Sequence, residues 1–187
     1  MPVLSPVIHA NLLLIMVNKD KSEQFTGLIL LSGVDKPGIT ETLFQTLSPF
    51  AVNILDVEQV VIRGRVILTV LISCAPAHAE AIESDLEECA VTLGVDIASA
   101  FEVSGATDID VKKSLLHVVI LAQELRPSAI NAVASAIAIN DGNIERIHRT
   151  ASYPVAAIEF AVSGVEQSML RTELARIGIE NSIDIAI

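Results

Sequence analysis

A short polar stretch follows the first long apolar run of the sequence and contains residue types that could bind a ligand. Asp35, Pro37 and Gly38 precede Ile39 and Thr40, where a helical pattern of apolar residues begins. Proline fixes its own φ and lacks an N–H, whereas glycine lets a ligand approach the main chain closely. The first N–H groups of a helix have no intrahelical partner and lie at the positive end of its dipole, which favours a bound carboxylate. The stretch is therefore a candidate site for a small zwitterion.

Three polar side chains would complete such a site. The carboxylate of Asp35 could accept hydrogen bonds from an ammonium group, and the amide of Asn53 offers both a donor and an acceptor. The hydroxyl of Thr40 could bond a small polar side chain such as that of serine. The alternative is an ordinary strand-to-helix turn, in which Asp35 caps the helix and Asn53 lies in a turn. The residues alone favour the ordinary turn.

Other residues that commonly carry chemistry form no recognisable constellation. The sequence has no Ser-His-Asp order, no Gly-rich phosphate loop and no CxxC motif. Asp108 and Asp110 lie in a polar connector, where we interpret them as part of a solvated linker. The four histidines show no metal-ligand spacing and are interpreted as strand or surface residues: His9, His78, His117 and His148. We therefore predict no catalytic residue, no metal site and no cofactor in this chain.

Composition and charge exclude several classes of partner. The 187 residues include 12 basic and 23 acidic side chains, a formal net charge of −11, with no basic stripe of the kind that nucleic acid requires. The apolar stretch NLLLIMV is far shorter than the ~20 residues that cross a bilayer, so residues 1–24 are interpreted as an extension. Cys74 and Cys89 have apolar neighbours, which suits small buried thiols in the reducing cytoplasm. We expect neither nucleic acid nor a membrane as partner.

Hydrophobic periodicity predicts a β-α-β-β-α-β order over residues 25–103. An apolar strand leads into a helix whose apolar positions recur at Ile39, Leu43 and Leu47. Two β-branched strands follow, joined by a hairpin at Gly64, and a second helix ends at Gly94 before the last strand. The apolar face of that second helix is predicted to consist of Ile82, Leu86, Ala90 and Leu93.

The same order repeats over residues 115–187, after a polar connector at 104–114. Pro127 lies 90 residues after Pro37, and Asn143 lies 90 residues after Asn53. We therefore predict an α+β protein of two ferredoxin-like units, each a four-stranded antiparallel sheet with both helices on one face. The mean hydropathy of +0.57 is high, which suggests that bare sheet faces or edge strands are covered by another unit or subunit.

These residues resemble a known regulatory family. The motif GVDKPGIT…LF looks like the first strand, ligand loop and helix of an ACT domain, a module that binds amino acids. The stretch VNILDVEQVVIRGRVILTVLIS is similar to the tandem ACT region that precedes the catalytic domain of actinobacterial phosphoserine phosphatases, and the resemblance covers residues 25–187. It implies a homodimeric regulatory region that binds L-serine or glycine through the loop, from Asp35 to Thr40, together with Asn53.

The resemblance also implies a catalytic partner domain. In that family a haloacid-dehalogenase-type domain, with an aspartate nucleophile and Mg²⁺, follows the last strand. The present chain stops at Ile187 inside its last predicted strand, so we expect a fragment of a longer protein. Two other functions remain open: a free-standing tandem ACT regulator resembling the glycine-cleavage repressors, and a structural dimerisation module without a ligand.

The second unit departs from the family pattern at its loop. Ser128 stands where the first unit has Gly38, and Leu125 stands where it has Asp35. Arg126 adds a cation near the helix start. We therefore expect at most one good site per chain, built on the first unit, with Ser128 and Asn143 as the possible counterparts in the second unit.

Overall fold

The computed structural model describes residues 24–104 and 114–187. The predictions made for the N-terminal extension and for Asp108 and Asp110 lie outside the described residues. The chain divides into two compact units, and each is described by itself. Unit 1 denotes residues 24–104 and unit 2 denotes residues 114–187.

Unit 1 has the predicted order of strands and helices. Its strands form one sheet in the order β2-β3-β1-β4, in which every neighbouring pair is antiparallel. One short 3-10 turn at Pro76–His78, which the sequence analysis did not predict, precedes the second helix. The elements are β1 (Phe25–Val34), α1 (Ile39–Leu47), β2 (Asn53–Ile62), β3 (Arg65–Cys74), α2 (Ala79–Leu93) and β4 (Asp96–Val103).

The core of unit 1 lies between the sheet and its two helices. The buried residues of α1 are Ile39, Leu43 and Leu47, as the periodicity predicts. Helix α2 differs slightly from the prediction, because Cys89 is buried while Ala90 and Leu93 are only partly buried. The sheet contributes alternate residues of β3, since successive side chains of a strand point to opposite faces: Val66, Leu68, Val70 and Ile72.

Unit 2 repeats the topology, with strand order β6-β7-β5-β8. Its elements are β5 (Leu116–Ala122), α3 (Pro127–Ile139), β6 (Asn143–Ala151), β7 (Ala156–Ser163), α4 (Gln167–Asn181) and β8 (Asp184–Ala186). The repeat extends to a detail of the backbone. The register of β2 against β3 shifts between Ile54 and Asp56, and that of β6 against β7 shifts between Ile144 and Arg146, 90 residues later.

Among the described residues, each unit leaves one edge strand without a neighbouring strand, on the side away from β4 or β8. Every residue of β2 is exposed, although apolar residues such as Val57, Val60 and Ile62 remain about half accessible. Strand β6 is exposed throughout except at Ile144, which is partly buried. Unpaired N–H and C=O groups on an edge strand are a template for pairing with another strand.

Candidate functional site

The loop between β1 and α1 leaves its backbone open to solvent. Gly38 precedes the first residue of α1 and has φ 92°, in the left-handed region that glycine adopts without steric cost. A Cβ added to Gly38 would meet no heavy atom within 4 Å, so the space beside this residue is open. No side chain in the described part of the protein caps α1, so Asp35 does not occupy the free N–H groups of the first turn. These N–H groups therefore remain suited to an anionic ligand.

The same loop is attached to the hairpin between β2 and β3. The backbone N–H of Asp35 donates a hydrogen bond of 2.8 Å to the carbonyl oxygen of Gly64. Arg63 and Gly64 both have positive φ, at 48° and 74°, and form the tight turn that the glycine predicts. The side chains of Asp35 and Pro37 are exposed. The hairpin thus positions the backbone of Asp35 while its carboxylate remains accessible.

One residue beside the loop was missed by the sequence analysis. The hydroxyl of Thr40 donates a hydrogen bond of 2.7 Å to Oε1 of Gln59 on β2. Gln59 lies opposite Leu68, a core residue of β3, and so shares the helix-covered face of the sheet. The alternation of β2 could have placed Gln59 on this face, but only the packing of α1 shows that it reaches Thr40.

Asn53 is not brought to the loop within unit 1. It begins β2 and lies opposite Ser73, which in turn pairs with Thr26 near the start of β1. The loop follows the other end of β1, so the ten-residue strand β2 separates the two by about 30 Å at ~3.3 Å per residue. No single amino acid can contact both.

The loop of unit 2 has a different chemistry. Ser128 lies in the first turn of α3, and the Arg126 guanidinium pairs with Glu124 at 3.2 Å. Both Arg126 and Ser128 line a pocket of about 810 Å³, together with the turn between α4 and β8. The sequence analysis did not predict the contribution of that turn or of Asp184, the first residue of β8. Asn143 lies at the opposite end of unit 2, where its Nδ2 donates to Oε1 of Glu145 at 3.0 Å.

Two of the histidines meet on the sheet of unit 2. Nδ1 of His117 lies 2.5 Å from Oε1 of Glu159, and Nε2 of His148 lies 3.5 Å from Oε2 of the same carboxylate. Both histidines lie on strands, as predicted. Within residues 24–104 and 114–187, no three His, Cys, Asp or Glu side chains are arranged to hold a metal ion. In the same ranges no helix is long and apolar enough to cross a membrane.

Comparisons with known proteins identify both units. Two family models, each described as an ACT domain, match residues 26–99 and 114–187. The chain is 40% identical over 166 residues to phosphoserine phosphatase of Streptomyces coelicolor, and 34% identical over 164 residues to phosphoserine phosphatase SerB2 of Mycobacterium tuberculosis. These matches cover 87% and 86% of this chain but only 39% and 40% of the two relatives. The chain therefore spans about two fifths of the length of these enzymes.

Solved structures share the fold at low sequence identity. An unknown protein from Galdieria sulphuraria has a TM-score of 0.71 at 18% identity, over 88% of this chain and 97% of its own. A putative glycine cleavage system transcriptional repressor has a TM-score of 0.67 at 14% identity, over 87% of this chain and 95% of its own. Both likenesses show the fold alone. The two family matches and the two βαββαβ units together show that this chain belongs to the ACT domain family, with two ACT domains in tandem.

Proposed function

We propose that this chain is the regulatory region of a phosphoserine phosphatase, where it binds L-serine and forms a homodimer in the cytoplasm. The observation that carries the proposal is the open, uncapped start of α1 at Gly38, in a chain related to two phosphoserine phosphatases. Hydrolysis of phosphoserine, with Mg²⁺, would belong to a separate catalytic domain, outside the two ACT units. Serine is the product of that reaction, so its binding would report the product level.

The loop offers a complementary group for each part of L-serine. The N–H groups of Gly38, Ile39 and Thr40 would hold the carboxylate at the positive end of the α1 dipole. The exposed carboxylate of Asp35 would accept from the ammonium group. The hydroxyl of serine would bond to Thr40 or to Gln59, which already share a hydrogen bond.

Dimerisation would complete the site as well as cover the edge strands. Within one unit the loop and Asn53 lie at opposite ends of β2. In this proposal the second half of the site would come from a second edge strand. The exposed apolar residues of β2 support this role, because an uncovered apolar edge favours association. Binding and dimer arrangement would then be coupled, typically by about 1–3 kcal/mol.

A free-standing regulator that binds glycine is the second candidate. The likeness to a putative glycine cleavage system transcriptional repressor favours it, but at 14% identity this likeness concerns the fold alone. The relatives with 40% and 34% identity are phosphoserine phosphatases, which is why we place serine first.

Isothermal titration calorimetry tests the proposal. L-serine, glycine and L-alanine are titrated into the wild-type chain and into two charge variants of the loop, Asp35→Asn and Lys36→Gln. We expect serine to bind the wild type, with affinity reduced at least about tenfold by Asp35→Asn because a charged hydrogen bond is lost. The exposed neighbour Lys36 is the matched control and should change the affinity little.

Three results would contradict the assignment in different ways. Preference for glycine over serine would favour the glycine-binding regulator. An equal loss of affinity in Asp35→Asn and Lys36→Gln would show that the Asp35 carboxylate does not bind the ligand. If none of the three amino acids produces a heat of binding, the chain would be interpreted as a dimerisation module without a ligand.

A further inference from the structure

The face of the unit 1 sheet that lies opposite its helices is apolar and exposed. Successive side chains of a strand point to opposite faces, so the positions that alternate with the buried ones belong to this open face. Leu28 there lies opposite Leu71, and Val60 lies opposite Ile67. An exposed apolar patch of this kind marks an interaction surface. Its six large aliphatic side chains are between 39% and 57% accessible: Leu28, Leu30, Val34, Val60, Ile62 and Ile67.

The corresponding face of unit 2 is polar at its centre. His117 there corresponds to Leu28, because each lies opposite one of two residues that are 90 positions apart in the repeat, Ala161 and Leu71. The imidazole of His117 contacts the carboxylate of Glu159, which lies on the same face. Two units of one topology therefore differ in this face, and the apolar face belongs to the unit that directly follows residues 1–23.

Residues 1–23 contain an apolar stretch of their own. Residues 11–17 read NLLLIMV, with six apolar side chains in succession, and residues 18–23, NKDKSE, connect this stretch to Gln24. The carbonyl oxygen of Gln24 accepts a hydrogen bond of 2.8 Å from the N–H of Ser104, just beyond β4. Since β1 lies between β3 and β4, the connecting residues join the sheet at a fixed point in its middle.

We propose that residues 11–17 pack against the open face of unit 1 in the same chain. The other face of this sheet is already covered by α1 and α2, so the open face is the apolar surface that remains beside the start of β1. Removal of both apolar surfaces from water would drive the contact. The proposal goes beyond the serine site and does not depend on it, so the two can fail separately.

The connecting residues are long enough for this packing. The six residues at 18–23 reach about 20 Å when extended, whereas packed layers lie about 10 Å apart. The seven residues at 11–17 span up to about 23 Å at ~3.3 Å per residue, and the path along β1 from Leu28 to Val34 covers about 20 Å. The apolar stretch therefore matches the apolar patch in length.

Charge argues against a second open face as the cover. The border of the open face carries four carboxylates, whereas its described strand residues include one cation, Arg65. Two such faces stacked on each other would bring like charges together, which is unfavourable. Residues 18–23, by contrast, carry two basic and two acidic side chains and no net charge. The four carboxylates belong to Asp56, Glu58, Asp96 and Glu102.

Photo-crosslinking in the full chain tests the packing. Benzoylphenylalanine replaces Leu28 and, as the matched control, His117 at the corresponding position of unit 2. Chains labelled with ¹⁵N and unlabelled chains are mixed in urea, refolded together, irradiated and digested with trypsin. Lys19 is the first basic residue, so the peptide 1–19 contains the whole apolar stretch. We expect the Leu28 probe to link to peptide 1–19 of the same label, and the His117 probe not to.

Four other results would overturn the proposal. Links from Leu28 to peptide 1–19 of the opposite label would show that the stretch covers the face of a second copy. Links of mixed label between two unit 1 sheets would show that a second open face is the cover. Equal links from both probes would show an unspecific contact, and no link from Leu28 would show that the face stays open.

Dye binding provides an independent test. Leu13→Asp with Ile15→Asp makes the stretch polar, so the fluorescence of anilinonaphthalene sulfonate should rise at least about threefold as the patch loses its cover. Addition of Leu30→Ser should reverse most of the rise. Val3→Asp with Val7→Asp adds the same charge outside residues 11–17 and is the matched control. Unchanged fluorescence in the first variant, or an equal rise in the control, would overturn the proposal, and the serine titration would still report separately on the proposed function.

Discussion

Thr40 and Gln59 connect the start of α1 to the edge strand β2, through a hydrogen bond of 2.7 Å between their side chains. One end of this contact lies beside the open backbone at Gly38, and the other lies on a strand whose residues are all exposed. A ligand at the loop and a partner strand at the edge would therefore act on the same pair of side chains. If the proposed function holds, this contact would be a direct physical route by which serine binding influences dimerisation.

Removing the acceptor of that bond should affect binding more than stability. Gln59→Leu keeps the side-chain size but leaves Thr40 without its partner. We therefore expect the affinity for serine to fall about threefold to tenfold. The melting temperature should change little, because the hydrogen bond is exposed. Gln45→Leu, on an exposed position of α1, serves as the control in calorimetry. Equal affinities in all three chains would show that Gln59 takes no part.

Two glycines in the left-handed region allow the effect of backbone strain on stability to be separated from the effect of a side chain on ligand access. Gly38 has φ 92° and Gly94, which ends α2, has φ 66°; a Cβ at either would meet no atom within 4 Å. Alanine at each position should lower the free energy of unfolding by about 1 kcal/mol, because the left-handed conformation is costly for an L side chain. Only Gly38→Ala should also weaken serine binding. Urea titration and calorimetry on both variants check this, and equal binding in both would remove Gly38 from the site.

The core of unit 2 depends on one large aromatic side chain. Phe160 is fully buried on β7, so Phe160→Ala should lower the free energy of unfolding by about 3–5 kcal/mol through lost burial and a residual cavity. Amide hydrogen exchange should show the loss in β5–β7, with β1 and β3 retaining their protection. Tyr153→Ala, at a residue that is 90% exposed, is the control and should stay within about 0.5 kcal/mol of the wild type. Equal loss of protection in β1 and β3 would show that the units do not unfold separately.

Burial of Cys74 predicts a pH dependence of stability. Desolvation raises the pKa of this thiol above its ordinary value of 9.0, so folding favours the neutral form. The contribution is fully present below pH 9 and is lost as pH rises through the folded-state pKa. Between pH 8 and pH 10.5 the urea midpoint of the wild type should therefore fall more than that of Cys74→Ala. Parallel decreases would show that the thiol does not contribute.

The order of the elements could be predicted from local sequence patterns, and the same patterns proposed a candidate site at the loop. Alternating and four-residue patterns reflect which side chains must be buried, so Ile39, Leu43 and Leu47 identify their helix without a structure. Glycines mark backbone geometry in the same local way, as at Gly38 and Gly64, whose positive φ values a side chain would oppose. These features depend on residues close in the chain, which is why they could be predicted.

Which of these residues meet depends on contacts that only the folded units show. Sequence proximity suggested that Asn53 lies near the loop, yet the direction of β2 places it at the far end of the unit. The alternation of β2 could have placed Gln59 on the helix-covered face, but its contact with Thr40 depends on the packing of α1 against the sheet. The edge position of β2 and β6 depends on strand order, which is set by contacts between residues far apart in the chain.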